Sequence, residues 1–100
     1  MGNVIWTPLA LDDLQHIAEY LRETNPAKEQ QIIGNIVDKA DQLENNPYSG
    51  QKSSQLSTAQ EKLRTLLVDK HLRLVYEVEP NEDVTILQVL DLRSDRPFYR

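Results

Sequence analysis

The stretch Lys62–Glu79, KLRTLLVDKHLRLVYEVE, most constrains what this chain can become. Two runs rich in Leu, Val and Tyr flank Asp69-Lys70-His71, and neither is interrupted by Gly or Pro. Such runs predict two strands joined by a tight turn. The second run alternates: Leu72, Leu74, Tyr76 and Val78 fall on one face, and Arg73, Val75, Glu77 and Glu79 on the other. The first set reads as a core face. The second sets an arginine in the middle of an apolar ribbon, which is the first functional clue.

The first half of the chain supplies a cover for the core face. Val4-Ile5-Trp6 predicts a short strand, and Thr7-Pro8 predicts a helix start, with Thr as cap and Pro at the first helical position. Ala10, Leu14, Ile17, Ala18 and Leu21 form an apolar stripe at helical spacing. Asp12 and Asp13 fall near the positive end of that helix, and His16 lies off the stripe as a solvated residue. Asn25-Pro26 ends this helix and opens another, again as cap and first position. The second stripe is Ile32, Ile33, Ile36, Val37, Ala40 and Leu43, closed by Asn45-Asn46-Pro47. Helices joined this tightly run antiparallel. Tyr48–Gln60, rich in Ser, Gln and Thr, reads as a loop, and Pro80–Asp83 as a turn.

Val84–Arg93 is the last predicted strand. Val84, Ile86, Leu90 and Leu92 fall on one face and Leu87 and Val89 on the other, as suits a central or covered strand. The expected fold is α+β: a single domain over residues 1–100 in the order β-α-α-β-β-β. A helical hairpin lies on one face of a small antiparallel sheet.

Composition narrows the chemistry. No apolar run approaches the ~20 residues of a membrane-spanning helix. The opening MGNVIWTPLALDD lacks the basic start and apolar run of a signal peptide, so a cytoplasmic protein is expected. Without cysteine there is no disulfide or thiol nucleophile, and two isolated histidines offer no metal centre, so neither metal nor cofactor is expected. The net charge of −5 sits entirely in residues 1–50, with three basic and eight acidic residues. Residues 51–100 hold eight of each, including five of the six arginines. An acidic chain has no general attraction to nucleic acid, but clustered arginines bind phosphate bidentately. If the strands pair as adjacent hairpins, Arg64, Arg73 and Arg93 converge on the open face, with Tyr99 six residues beyond Arg93. Three guanidiniums and a phenol suit a phosphodiester and its developing charge. The simpler alternative pairs the arginines with Glu77, Glu79, Asp91 and Asp95. Ser/His/Asp spacing, a Gly-rich phosphate loop and a carboxylate–histidine metal pattern are all missing.

At this point the sequence resembles the RelE/ParE superfamily of toxins from bacterial type II toxin–antitoxin modules. The resemblance rests on the order and spacing of VIWTPLALDDLQHIAEYL, LENNP, Gly50, Leu63-Arg64, LRLVYEVE and VLDLRSDRP. It implies a cognate antitoxin as partner, an oligomer formed with it, and one of two targets. RelE-like members cut messenger RNA on the ribosome without metal. In that reading Arg73 and Arg93 stabilise the phosphate, Arg64 positions it and Tyr99 stacks on a base or orients the scissile group. The RNA 2′-OH would be the nucleophile, and no residue stands out as general base. ParE-like members block DNA gyrase; the segment carrying Arg93, Arg96, Phe98, Tyr99 and Arg100 would then contact the enzyme, and Arg73 would be structural. Leu66 falls where a RelE-type lysine is expected, the chain is acidic, and Trp6, Asp13-Leu14, Ile17 and Tyr20 look more like ParE. The balance leans to gyrase inhibition, with a ribosome-dependent endoribonuclease as the alternative. A non-toxic, toxin-derived binding domain is a third reading.

Overall fold

The structure is a computed structural model and describes residues 2–52 and 63–92. Strand β1 (Val4–Trp6) leads into helix α1 (Pro8–Thr24), and a 3-10 turn (Pro26–Lys28) carries the chain into α2 (Glu29–Gln42). Strands β2 (Gln51–Lys52), β3 (Leu63–Leu67), β4 (Leu72–Val78) and β5 (Val84–Asp91) follow. The sheet order is β1-β5-β4-β3-β2. The architecture is α+β, with two helices packed on one face of an open five-stranded sheet.

The sheet departs from a simple antiparallel meander at both edges. Neighbours from β2 to β5 are antiparallel, but β1 joins β5 in parallel, Val4 opposite Val84, because the helical hairpin carries the chain back across the sheet. At the other edge, Gln51 and Lys52 pair with Thr65 and Arg64 inside the stretch whose composition reads as loop. A two-residue strand has too few side chains to show a period.

The core lies between hairpin and sheet. Ala10, Ile36, Ala40, Leu43, Leu72, Leu74, Tyr76, Val84 and Ile86 are all fully buried. The alternation predicted for β4 holds, but β5 slips by one residue. Leu74 faces Val89 and Val75 faces Gln88, yet Tyr76 faces Ile86, so Leu87 is an extra residue in a bulge. The slip corrects the predicted faces: Val89 joins Ile86 and Val84 in the core, while Leu90, opposite Arg73, goes to the open face.

The start of α1 is fastened to this bulge. Thr7 Oγ1 accepts the Ala10 N–H at 3.1 Å, as a cap should, and donates to the Ile86 carbonyl at 2.9 Å. Asp13, read from the sequence only as lying near the positive end of the helix, is buried. It is 1% exposed, and its carboxylate accepts the Val89 N–H at 3.1 Å. The second helix also begins later than predicted. Pro26 opens the 3-10 turn, Asn25 makes no side-chain cap, and the regular helix starts at Glu29. His16 is exposed as expected, 3.5 Å from Asp12. Among the described residues no helix is long and apolar enough to cross a membrane.

Candidate functional site

The arginine predicted to lead the open-face cluster is on the other side of the sheet. Arg64 pairs with Tyr76 and Leu66 with Leu74, so both β3 side chains share the face that the helices cover. Arg73 pairs with Leu67 and Leu90 on the opposite, open face. Arg64 and Arg73 therefore do not converge on one face. Leu66, at the position where a RelE-type lysine is expected, packs against the core. An ammonium there would face apolar side chains.

Arg64 holds the corner that precedes β2. Its Nη1 donates to the Gly50 carbonyl at 2.8 Å and to the Tyr48 carbonyl at 3.3 Å, and its guanidinium lies 5.0 Å from the Tyr48 ring centre. Tyr76 secures the same corner from below. Its hydroxyl donates to the Pro47 carbonyl and accepts the Gly50 N–H, each at 2.9 Å. Burial pushes the Tyr76 phenol above its ordinary value, opposed in part by the Gly50 N–H and the Arg64 charge. Gly50 is required by this close approach, because a Cβ there would lie 2.6 Å from both the Thr65 carbonyl oxygen and the Tyr76 hydroxyl.

Beyond that corner the chain leaves β3, and a cavity of about 290 Å³ opens between Ser49–Gln51 and Thr65–Leu67, with Arg73 on its wall. The Arg73 side chain is exposed, makes no hydrogen bond or ion pair among the described residues, and so is not tied into the fold as a structural arginine would be. The simpler alternative of ion-paired arginines thus does not apply to Arg73 there. Glu79, one proposed partner, accepts instead from Thr85 Oγ1 at 3.2 Å. His71 sits half-buried in the β3–β4 turn, where its backbone N–H donates to Asp69 Oδ1 at 2.7 Å. Arg93, Arg96, Phe98, Tyr99 and Arg100 lie outside the described residues.

Sequence reasoning missed the parts of this corner that span distance. Nothing local links Tyr76 to Pro47 or Gly50, which lie 29 and 26 residues away. A glycine close to Pro47 was the available signal, and it marks a turn without naming its partner.

A family model described as the ParE toxin of type II toxin–antitoxin systems, parDE, matches residues 4–96. No curated protein matches the sequence. Among solved structures, a chain from the chromosomal ParDE system of P. aeruginosa superposes with a TM-score of 0.73 at 23% identity, over 92% of this chain and 97% of that one. A YoeB/ParE toxin from Agrobacterium tumefaciens gives 0.61 at 17%, covering 89% and 96%. A chain of the heterotetrameric YoeB–YefM toxin–antitoxin complex from Staphylococcus aureus gives 0.57 at 17%, covering 90% and 95%. At these identities the structural likenesses establish a shared fold.

Proposed function

The chain belongs to the ParE toxin family of type II toxin–antitoxin systems, and on that premise we propose that it inhibits growth by binding and blocking DNA gyrase. In this reading it works in the cytoplasm and is held silent by a cognate antitoxin. The observation that carries the reading is the commitment of Arg64. Its guanidinium is spent on the Gly50 and Tyr48 carbonyls on the helix-covered face, leaving Arg73 without it on the open face. An RNase of the RelE kind needs several cationic groups around one phosphate, and that grouping is missing among the described residues. A binding toxin needs a stable scaffold and a contact segment. The segment Arg93–Arg100, with Arg93, Arg96, Phe98, Tyr99 and Arg100, is the proposed gyrase contact.

Antitoxin control follows from the family, and two of the structural relatives come from a ParDE system and a YoeB–YefM complex. Isolation from the native host is expected to recover a complex. A free, harmless monomer there would instead support the non-toxic binding domain.

A gyrase supercoiling assay run beside a ribosome-dependent messenger RNA cleavage assay tests the mechanism. Loss of supercoiling with intact message is the expected result. Message cleavage with normal supercoiling would establish the endoribonuclease reading, which the uncommitted Arg73 beside its cavity favours. In that case Tyr99→Phe, which keeps the ring and removes the hydroxyl, should cut cleavage markedly. Under gyrase inhibition by packing of the ring, the same substitution should leave potency nearly unchanged.

A further inference from the structure

We propose that the outer edge of β3 at Leu67 is a strand-addition site for an acidic, extended segment of a partner protein, with a partner carboxylate held by Arg73. The proposal goes beyond gyrase inhibition and stands or falls separately from it.

The backbone supplies the first argument. Val68 donates its N–H to the Leu72 carbonyl at 2.8 Å, so it turns its backbone groups toward β4. Strand alternation then turns the N–H and C=O of Leu67 outward. Strand β2 pairs only with Arg64 and Thr65, and Leu67 has no ladder partner on that side among the described residues. Such an edge is a template for another strand. The cavity opens at the same point, between Ser49–Gln51 and Thr65–Leu67, where the pairing of β2 with β3 stops at Thr65.

Side-chain placement supplies the second. Leu67 is 53% exposed and sits directly opposite Arg73 on the open face. A residue added opposite Leu67 points to that same face, two strand spacings of about 4.8 Å from Arg73. An extended arginine spans that gap across Leu67 to a Glu or Asp.

Charge supplies the third. Residues 49–52 and 63–79 carry Lys52, Arg64, Lys70 and Arg73 against Asp69, Glu77 and Glu79, and Glu77 lies opposite Leu63, at the end of β3 away from Leu67. Asp69 is already engaged by the backbone N–H groups of His71 and Leu72. Residues 8–42, the helical layer, carry seven acids against three bases. The molecule thus presents a positive sheet edge below a negative helical face, and an acidic strand is attracted to the edge and repelled by the helices. A nucleic acid shares the attraction but offers no strand to a bare peptide edge, which decides for a polypeptide.

The test uses the isotope-labelled full chain and three probes. The first is a short acetylated, amidated peptide of alternating valine and threonine with one central glutamate. The second is its glutamine counterpart, and the third a short single-stranded RNA. The glutamate peptide is expected to shift the Leu67 amide resonance and slow its hydrogen exchange. Its affinity should fall about tenfold with the glutamine peptide, and similarly in Arg73→Gln, since one charge-assisted bond is lost. Leu67→Pro removes the outward N–H at a position where the fold does not use it, and should abolish binding with the circular dichroism unchanged. Equal affinity in Arg73→Gln, no binding of the glutamate peptide at millimolar concentration, or displacement of that peptide from Leu67 by the RNA would each overturn the proposal.

Discussion

Tyr76 shows how much a single residue joins here. The alternation of β4 places it in the core, and it is fully buried. Its hydroxyl is legible only in three dimensions, where it ties Pro47 and Gly50 to the sheet. Tyr76→Phe leaves a buried N–H and a carbonyl without that partner and should cost about 1–3 kcal/mol in denaturant unfolding. The same residue sets a pH dependence. Its folded pKa is raised by burial, so the folded state holds the proton more tightly than the unfolded chain. The contribution is full below the unfolded value of about 10 and is lost as pH rises through the higher folded value. Stability measured from neutral to alkaline pH should therefore fall in the parent more steeply than in Tyr76→Phe. Equal slopes would separate Tyr76 from the effect. Arg64 carries the complementary lesson. Its parity with Leu66 was plain in the sequence, but parity alone does not say which face the helices cover. The pairing of Arg64 with Tyr76 and of Leu66 with Leu74 assigns it to the covered one.

Elements were the most legible level. The stripes of α1 and α2, the Thr7 cap, the β3–β4 turn and the Pro80–Asp83 turn are where local chemistry put them. What periodicity cannot carry is a break in its own period. One extra residue at Leu87 inverts the faces of the end of β5, and the sequence there remains apolar on both sides. The same bulge explains Asp13, whose carboxylate takes the Val89 N–H two residues beyond Leu87. Within α2, Gly34 has open space where a Cβ would stand and a backbone in the ordinary helical region. Gly34→Ala should thus stabilise the protein by about 0.4–1 kcal/mol in thermal or denaturant unfolding, by restricting the unfolded chain. A loss of stability there would mean that α2 needs the glycine for a reason other than its own helix. Gly50→Ala provides the contrast and should destabilise, because its new methyl meets Thr65 and Tyr76.

At the scale of the whole molecule, stability rests on one layer of contact between hairpin and sheet. Leu74 is fully buried at its centre, and Leu74→Ala should cost about 2–5 kcal/mol. Native stabilities are about 5–15 kcal/mol, so calorimetry should show a large drop in Tm. The fold class was readable because two helical periods and one strand period each demanded a cover. The sheet order was not, because the pairing of β1 with β5 joins segments about as far apart in sequence as this chain allows. That parallel pairing, Val4 to Val84, has a kinetic consequence. Contacts this distant in sequence close late, since the loop entropy must be spent before they form. During synthesis the first strand made is the one that waits, solvated, until the last has left the ribosome. Val4→Ala should then speed unfolding in stopped-flow measurements and leave the refolding rate nearly unchanged, the mark of an interaction absent from the transition state. A chain translated only as far as α2 holds the two helical segments but not the strands β2 to β5 that cover their stripes, so its maturation waits on the length translated.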